Sequence, residues 1–121
     1  MKPTLVLGAS QKPHRVSNQA VIRLRSHGHT VVALGRRPGQ IGDVPIQTQI
    51  EDLEPGSVHT VSMYLNAQNQ REFYDLVLNL KPERIYFNPG AENPELCDLA
   101  TQAGIQCLNQ CMMVAMSLQY F

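Results

Sequence analysis

The fold is decided by one stretch near the N-terminus, Leu5-Val6-Leu7-Gly8-Ala9-Ser10-Gln11-Lys12-Pro13-His14-Arg15-Val16-Ser17. Its three leading apolar residues predict a short buried strand. Gly8 allows a sharp turn as the chain leaves that strand. Ser17 is predicted to be the N-cap of a helix that ends at Gly28. A strand, a tight loop and a capped helix in this order are typical of an α/β protein.

Four further apolar runs follow, and the first four of the five runs begin roughly 26 residues apart, about the length of a strand with its crossover helix. They are Val31–Leu34, Val58–Leu65, Ile85–Phe87 and Ile105–Leu108. Continuous apolar runs are typical of strands buried on both faces, as in a parallel sheet. The sequence therefore predicts one domain, residues 1–121, with a Rossmann-like, doubly wound, three-layer α/β fold whose five parallel strands have the order 3-2-1-4-5.

The segments between these runs carry helix signals. Asn66 and Asn93 are predicted N-caps, and Pro94 suits the first position of the helix that Asn93 begins. The stretch from Gly35 to Gly56 is irregular and predicts a surface loop with a small edge strand and one helical turn. The apolar tail from Cys111 to Phe121 predicts a short terminal helix.

Composition narrows the class of protein. The formal net charge is zero, whereas nucleic-acid-binding domains usually carry a basic excess, so no nucleic-acid partner is expected. No apolar run approaches the length that spans a membrane, and the N-terminus leaves no room for a signal peptide. The three cysteines are expected to be free thiols in a cytoplasmic protein. Met112, Met113 and Met116 suit either the core or the face of a homodimer.

The loop after the first strand predicts an anion site. Ser10 and Ser17 offer hydroxyl groups, Lys12 and Arg15 offer positive charges, and the following helix offers free N–H groups at its N-terminus. In a sheet of the predicted order, Asn88-Pro89-Gly90 after the fourth strand would lie on the same crevice. A small phosphorylated nucleotide is therefore the expected ligand.

The end of the second strand bears on which nucleotide is bound. The dinucleotide pattern G-x-G-x-x-G is absent, since Ser10 stands at its second glycine. Where an NAD site needs an acidic residue, the chain has Arg36 and Arg37, which suit a phosphate on the ribose. That phosphate is the 2′-phosphate of NADP or the 3′-phosphate of coenzyme A, and the two arginines cannot separate these cofactors.

The first loop, read as Gly8-Ala9-Ser10-x-Lys12-Pro13-x-Arg15-x-Ser17, resembles the signature of the small stand-alone coenzyme A-binding domain proteins. These are related to the nucleotide-binding domain of the succinyl-CoA synthetase alpha subunit. Three later segments resemble the family as well: Gly42-x-x-Pro45-Ile46, Asn88-Pro89-Gly90 and Asn109-x-Cys111-Met112. The resemblance implies that Gly8, Ser10, Lys12, Arg15 and Ser17 contact phosphates and that Arg36 and Arg37 lie near the adenosine. It supplies no catalytic residue.

Two other functions remain open. One is an NADP-binding, oxidoreductase-like domain, and the other is a protein-interaction module that has lost its ligand site. No nucleophile with an oriented base and no set of metal ligands is visible in the sequence, so neither catalysis nor a metal is expected. Cys97 and Cys107 are interpreted as core residues, while Cys111 falls near the edge of the crevice.

Overall fold

A computed structural model describes residues 1–121. Its first strand, β1 (Thr4–Leu7), is completely buried and runs directly into Gly8, whose φ of +95° a side chain would disfavour. The first helix, α1 (Val16–Ser26), follows the loop. The strand, loop and helix predicted from the opening stretch are therefore confirmed.

A single sheet of seven strands forms the middle layer. The other strands are β2 (Val31–Leu34), β3 (Gly39–Ile41), β4 (Val44–Gln47), β5 (Thr60–Met63), β6 (Arg84–Phe87) and β7 (Gln106–Leu108). Their spatial order is β3-β4-β2-β1-β5-β6-β7, and every pair is parallel except β3 with β4. The mostly parallel α/β fold is confirmed, with β1 at its centre.

The predicted five strands in the order 3-2-1-4-5 are wrong in both count and order. The prediction took the run at Val58–Leu65 as the third strand, beside the second. That run forms β5, which pairs with β1 instead. The strand beside β2 is β4. It has only four residues, two of them buried, and it contains a proline, so the sequence carries no clear strand signal there. Counted alone, the six parallel strands have the doubly wound order 3-2-1-4-5-6.

The irregular stretch after Gly35 contains a β-hairpin. Gly42 and Asp43 form a two-residue turn between β3 and β4, and the φ of +58° at Gly42 suits a hairpin turn with glycine in its first central position. The hairpin buries three of its own apolar side chains in the core: Ile41, Val44 and Ile46. The predicted edge strand is confirmed, and it is one arm of a hairpin that the sequence did not reveal.

The helices confirm two of the three predicted N-caps. The helices after α1 are α2 (Ala67–Gln70), which continues through a 3₁₀ turn at Arg71–Phe73 into α3 (Tyr74–Leu80), then α4 (Pro94–Gln102) and α5 (Met112–Ser117). Asn66 and Asn93 cap as predicted, each accepting an N–H three residues on. Ser17 as an N-cap is wrong: Arg15 holds that position without a side-chain cap, and Ser17 lies inside the first turn.

Two hydrophobic cores, one on each face of the sheet, complete the layers. On one face α1 and α5 cover β1 and the hairpin, with Leu24 and Met112 fully buried. On the other face α3 and α4 pack over the sheet through Val77 and Leu96. No helix combines the length and the apolar character needed to cross a lipid bilayer. The three cysteines are free thiols, and all are half-buried.

Candidate functional site

The position of the crevice follows from the strand order. The chain crosses from β1 to one side to form β2 and β4, then returns to the other side of β1 to form β5. The loops after β1 and β5 therefore diverge, and this is where doubly wound sheets bind ligands. A groove of about 470 Å³ opens there, at the carboxyl ends of β1, β2, β4 and β5.

The groove has apolar walls and a polar rim. Its apolar lining residues are Leu34, Ile50, Leu65, Phe73 and Leu76. The remaining lining residues are Gly8, Gly35, Arg36, Thr48, Gln49, Glu51, Asn69 and Glu72. Apolar side chains together with polar groups suit an aromatic base bearing a ribose. Only Gly8 and Arg36 of this set were predicted from the sequence, because the others belong to segments that meet only in the folded chain.

The first loop leaves the groove at Gly8 and is held by hydrogen bonds to its backbone and to one of its side chains. The N–H groups of Gly8 and Ala9 both donate to the carbonyl of Leu34. Asn18 donates its side-chain amide to the carbonyl of Ser10 at 2.9 Å. On the other side, Gln11 accepts the N–H of Gln40 in the hairpin at 3.1 Å.

The predicted phosphate-contacting residues share the far part of this loop. Lys12, Pro13 and Arg15 are exposed, and neither cation has an acidic partner within the protein. The hydroxyl of Ser10 accepts the N–H of Lys12 at 3.2 Å. Ser17 is buried in the first turn of α1.

The N-terminus of α1 supplies further donors. Arg15, its N-cap residue, makes no side-chain capping bond. The amide N–H groups of Val16 and Ser17 find no acceptor in the protein, so two donors remain at the positive end of the helix dipole.

The end of β2 brings a second basic group to the groove. Gly35 packs so tightly under the first loop that a Cβ there would collide with the carbonyl oxygen of Ala9. Arg36 then lines the groove, whereas Arg37 is exposed beside it and is not part of the lining. The carboxylates of Glu51 and Glu72 lie on other walls of the same groove.

Asn88, a predicted ligand-binding residue, is not among the residues that line this groove, and its side chain is engaged in hydrogen bonds within the protein. It is 3% exposed. Its amide donates to Ser62 Oγ at 3.0 Å and to the carbonyl of Met63 at 2.9 Å, and its oxygen accepts the N–H of Met112. These bonds tie the ends of β5 and β6 to the start of α5. Pro89, which follows, is exposed.

A second buried amide network supports the groove wall and was missed in the sequence. Gln70 is fully buried and donates to the carbonyls of Leu65 and Ala91. It accepts from Asn93, which also donates to the hydroxyl of Tyr74. Leu65 is a groove residue, so this network fixes part of the wall. A glutamine in an exposed-looking polar run gave no signal of this role.

Tyr64, just after β5, is the most perturbed aromatic group near the crevice. Burial raises its pKa to about 12, against an opposing effect of the nearby Ser62 side chain and with a small further rise from Cys111. Its hydroxyl oxygen is enclosed and makes no hydrogen bond within the protein. The phenol therefore stays protonated near neutral pH and cannot serve there as a general base.

The sheet order, the central β1 and the crevice beside it define a doubly wound α/β domain. Within that class the chain belongs to the CoA binding domain family, whose family model matches residues 2–117.

Solved structures share the fold. An uncharacterized protein of known crystal structure is 40% identical, with a TM-score of 0.94 over 100% of this chain and 98% of that one. A hypothetical protein from Pyrococcus horikoshii is 22% identical, with a TM-score of 0.85 over 97% and 82%. A Thermus thermophilus protein is 23% identical, with a TM-score of 0.85 over 99% and 90%. No curated protein is significantly similar to the chain.

Proposed function

We propose that this protein binds coenzyme A across the crevice between β1 and β5 and performs no reaction on it. Membership of the CoA binding domain family supports the ligand class. The observation that carries the proposal is the pairing of the groove with the first loop. The groove suits an adenine ring, and the loop beside it carries two unpaired cations and two unpaired amide donors.

The pyrophosphate would be bound by the first loop. Lys12 and Arg15 would approach it with charged side chains, and the N–H groups of Val16 and Ser17 would donate to it. Ser10 occupies the position at which dinucleotide-binding loops use glycine for close approach of the backbone. Long cationic side chains therefore suit a pyrophosphate that sits slightly farther from the backbone than in those proteins.

The ribose 3′-phosphate would meet Arg36 and Arg37 at the end of β2. Neither guanidinium is engaged by a carboxylate of the protein, so both are free to bind an anion. Glu51 and Glu72 oppose a phosphate in the same groove, and the arginines have to outweigh them.

Isothermal titration with coenzyme A, dephospho-coenzyme A and NADPH tests this proposal. We expect coenzyme A to bind most tightly and dephospho-coenzyme A about tenfold or more weakly, since a charge-assisted contact contributes about 1.5 to 3 kcal/mol. In the double variant Arg36→Ala/Arg37→Ala, coenzyme A should bind no better than dephospho-coenzyme A, and the affinity for dephospho-coenzyme A should not change.

Loop variants locate the pyrophosphate. Lys12→Ala with Arg15→Ala should weaken both coenzyme A and dephospho-coenzyme A about tenfold. Lys81→Gly is the matched control, because it removes an exposed cation just before β6, at the opposite end of the sheet. Tight NADPH binding without coenzyme A binding would favour the oxidoreductase-like alternative, and binding of neither would favour the interaction module.

The absence of turnover is part of the proposal. The purified protein should hydrolyse no common acyl-CoA and oxidise no NADPH. His14 is exposed on the first loop, and Cys111 is half-buried at the N-cap of α5. Turnover that is abolished by His14→Ala or Cys111→Ala would overturn this part.

A further inference from the structure

Two cysteines are in contact at the free edge of the sheet, outside the crevice. Cys97 lies on α4, and Cys107 is the middle residue of β7, the edge strand. The Cys107 thiol donates a hydrogen bond to the backbone carbonyl oxygen of Cys97, with Sγ 3.4 Å from that oxygen. Thr101 Oγ1 contacts Cys107 Sγ at 3.8 Å from the next turn of the helix. Both cysteines were predicted to be core residues, yet both are only half-buried.

We propose that Cys97 and Cys107 form a dithiol site that low-molecular-weight disulfides oxidise to an internal disulfide joining α4 to β7. In the first step a thiolate of the pair attacks the small disulfide, forming a mixed disulfide and releasing one small thiolate, which is protonated. In the second step the other protein thiol loses its proton and attacks the bound protein sulfur, releasing the second small thiol. The two protein thiols are oxidised and one small disulfide is reduced to two thiols.

The surroundings of the two sulfur atoms determine which cysteine attacks first. Burial, and then the hydrogen bond with Cys97, raise the pKa of Cys107 to about 12, so at neutral pH Cys107 is almost entirely a thiol. Cys97 is therefore the first attacking group, and Cys107 resolves the mixed disulfide. Since the attacking species is a thiolate, formation of the internal bond should become faster as the pH rises above neutrality.

Cys111 provides an internal comparison. It is also half-buried, but it lies at the start of α5, and no hydrogen bond joins it to either member of the pair. A small disulfide can react with Cys111 only to leave a mixed disulfide. The pair and the single thiol therefore give different products in one sample.

The test uses oxidised glutathione on the native protein, followed by intact mass measurement. Formation of the internal disulfide is expected to remove 2 Da from the mass of the protein. Glutathione is expected on Cys111 alone. Cleavage at Asp98, the one acidic residue between Cys97 and Cys107, should leave their two peptides joined until a reductant is added. The closed loop should raise the melting temperature by about 5 to 10 °C.

Single variants separate the two roles. Cys107→Ser should accumulate a stable glutathione adduct on Cys97, whereas Cys97→Ser should leave Cys107 unmodified at neutral pH. Cys111→Ser should still form the internal bond. Glutathione adducts that persist on Cys97 in the wild-type protein, or a native pair that stays fully reduced while Cys111 reacts, would overturn the proposal. Coenzyme A affinity plays no part in the readout, so the outcome is independent of the proposed function.

Discussion

At the scale of single residues, the groove combines one cation with two carboxylates. Arg36 lines it together with Glu51 and Glu72. A carboxylate close to a bound phosphate raises the free energy of the complex, and the penalty is larger where water is partly excluded. These two glutamates are therefore expected to limit the affinity for any ligand with a phosphate on its ribose.

Glu51→Gln should consequently tighten coenzyme A binding several-fold, because the substitution removes a negative charge and keeps the shape of the side chain. Titration at low salt and again at high salt would measure the gain, which should shrink as the salt screens the interaction. Glu54→Gln is the matched control: Glu54 is exposed in the same acidic segment and does not line the groove. An equal gain in both variants would indicate a general charge effect.

At the scale of elements, the N-cap residues of α2 and α4 differ in the number of hydrogen bonds that their side chains make. Asn66 caps α2 at an exposed site, through one hydrogen bond to the N–H of Asn69. Asn93 caps α4 with its oxygen, and its amide also donates to buried Gln70 and to Tyr74, both at 2.9 Å. The second cap therefore joins α4 to the wall of the groove.

Asn93→Ala should lower the free energy of unfolding by about 2 to 4 kcal/mol, since it removes a cap and leaves the side-chain oxygen of Gln70 buried without a hydrogen-bond donor. Asn66→Ala, the comparison, should cost about 1 kcal/mol. Urea denaturation followed by far-ultraviolet circular dichroism would measure both. Equal costs would mean that the amide network adds no stability beyond the cap.

At the scale of the whole molecule, basic groups gather at the amino end of the sheet. Arg84 stacks on the rings of Tyr86 and Phe121, with its guanidinium carbon 5.0 and 4.5 Å from their centres. His29 accepts the N–H of Lys2 through Nδ1 at 3.0 Å. Burial and then neighbouring positive charges lower the pKa of His29. Burial and Arg84 lower the pKa of His59, against an opposing effect of Glu83.

This arrangement predicts that stability falls in mild acid. Both histidines have pKa values below the unfolded value of about 6.5, so the unfolded chain binds protons first as the pH falls. Their contribution is fully present above that value and is lost as the pH falls toward the folded pKa values. Urea denaturation at pH 7.5 and 5.0 should show the loss. His29→Gln and His59→Gln should each reduce it, whereas His14→Gln, at an exposed loop position, should not. If both variants lost as much stability between pH 7.5 and pH 5.0 as the wild-type protein, the assignment to these two histidines would be contradicted.

The sequence by itself determined the local units of this protein. β1, Gly8 and α1 were predictable because a short apolar run, a glycine and a helical pattern act through near neighbours in the chain. The caps at Asn66 and Asn93 were predictable for the same reason, since each cap closes within three residues. Ser17 shows the limit of such signals, because the N-cap is Arg15, two residues before the residue with the better capping side chain.

Only the tertiary structure decided the strand order and the groove. The strand β4 carries two buried residues, and pairing with β2, rather than its own pattern, makes it part of the sheet. With β4 beside β2, the strand on the other side of β1 is β5, so Asn88 follows β6, a strand that does not adjoin β1. The groove draws residues from Gly8 to Leu76, which lie at or beyond the carboxyl ends of four different strands. Chain segments that distant meet through burial of apolar surface in the complete sheet, and no local pattern records which of them will be neighbours.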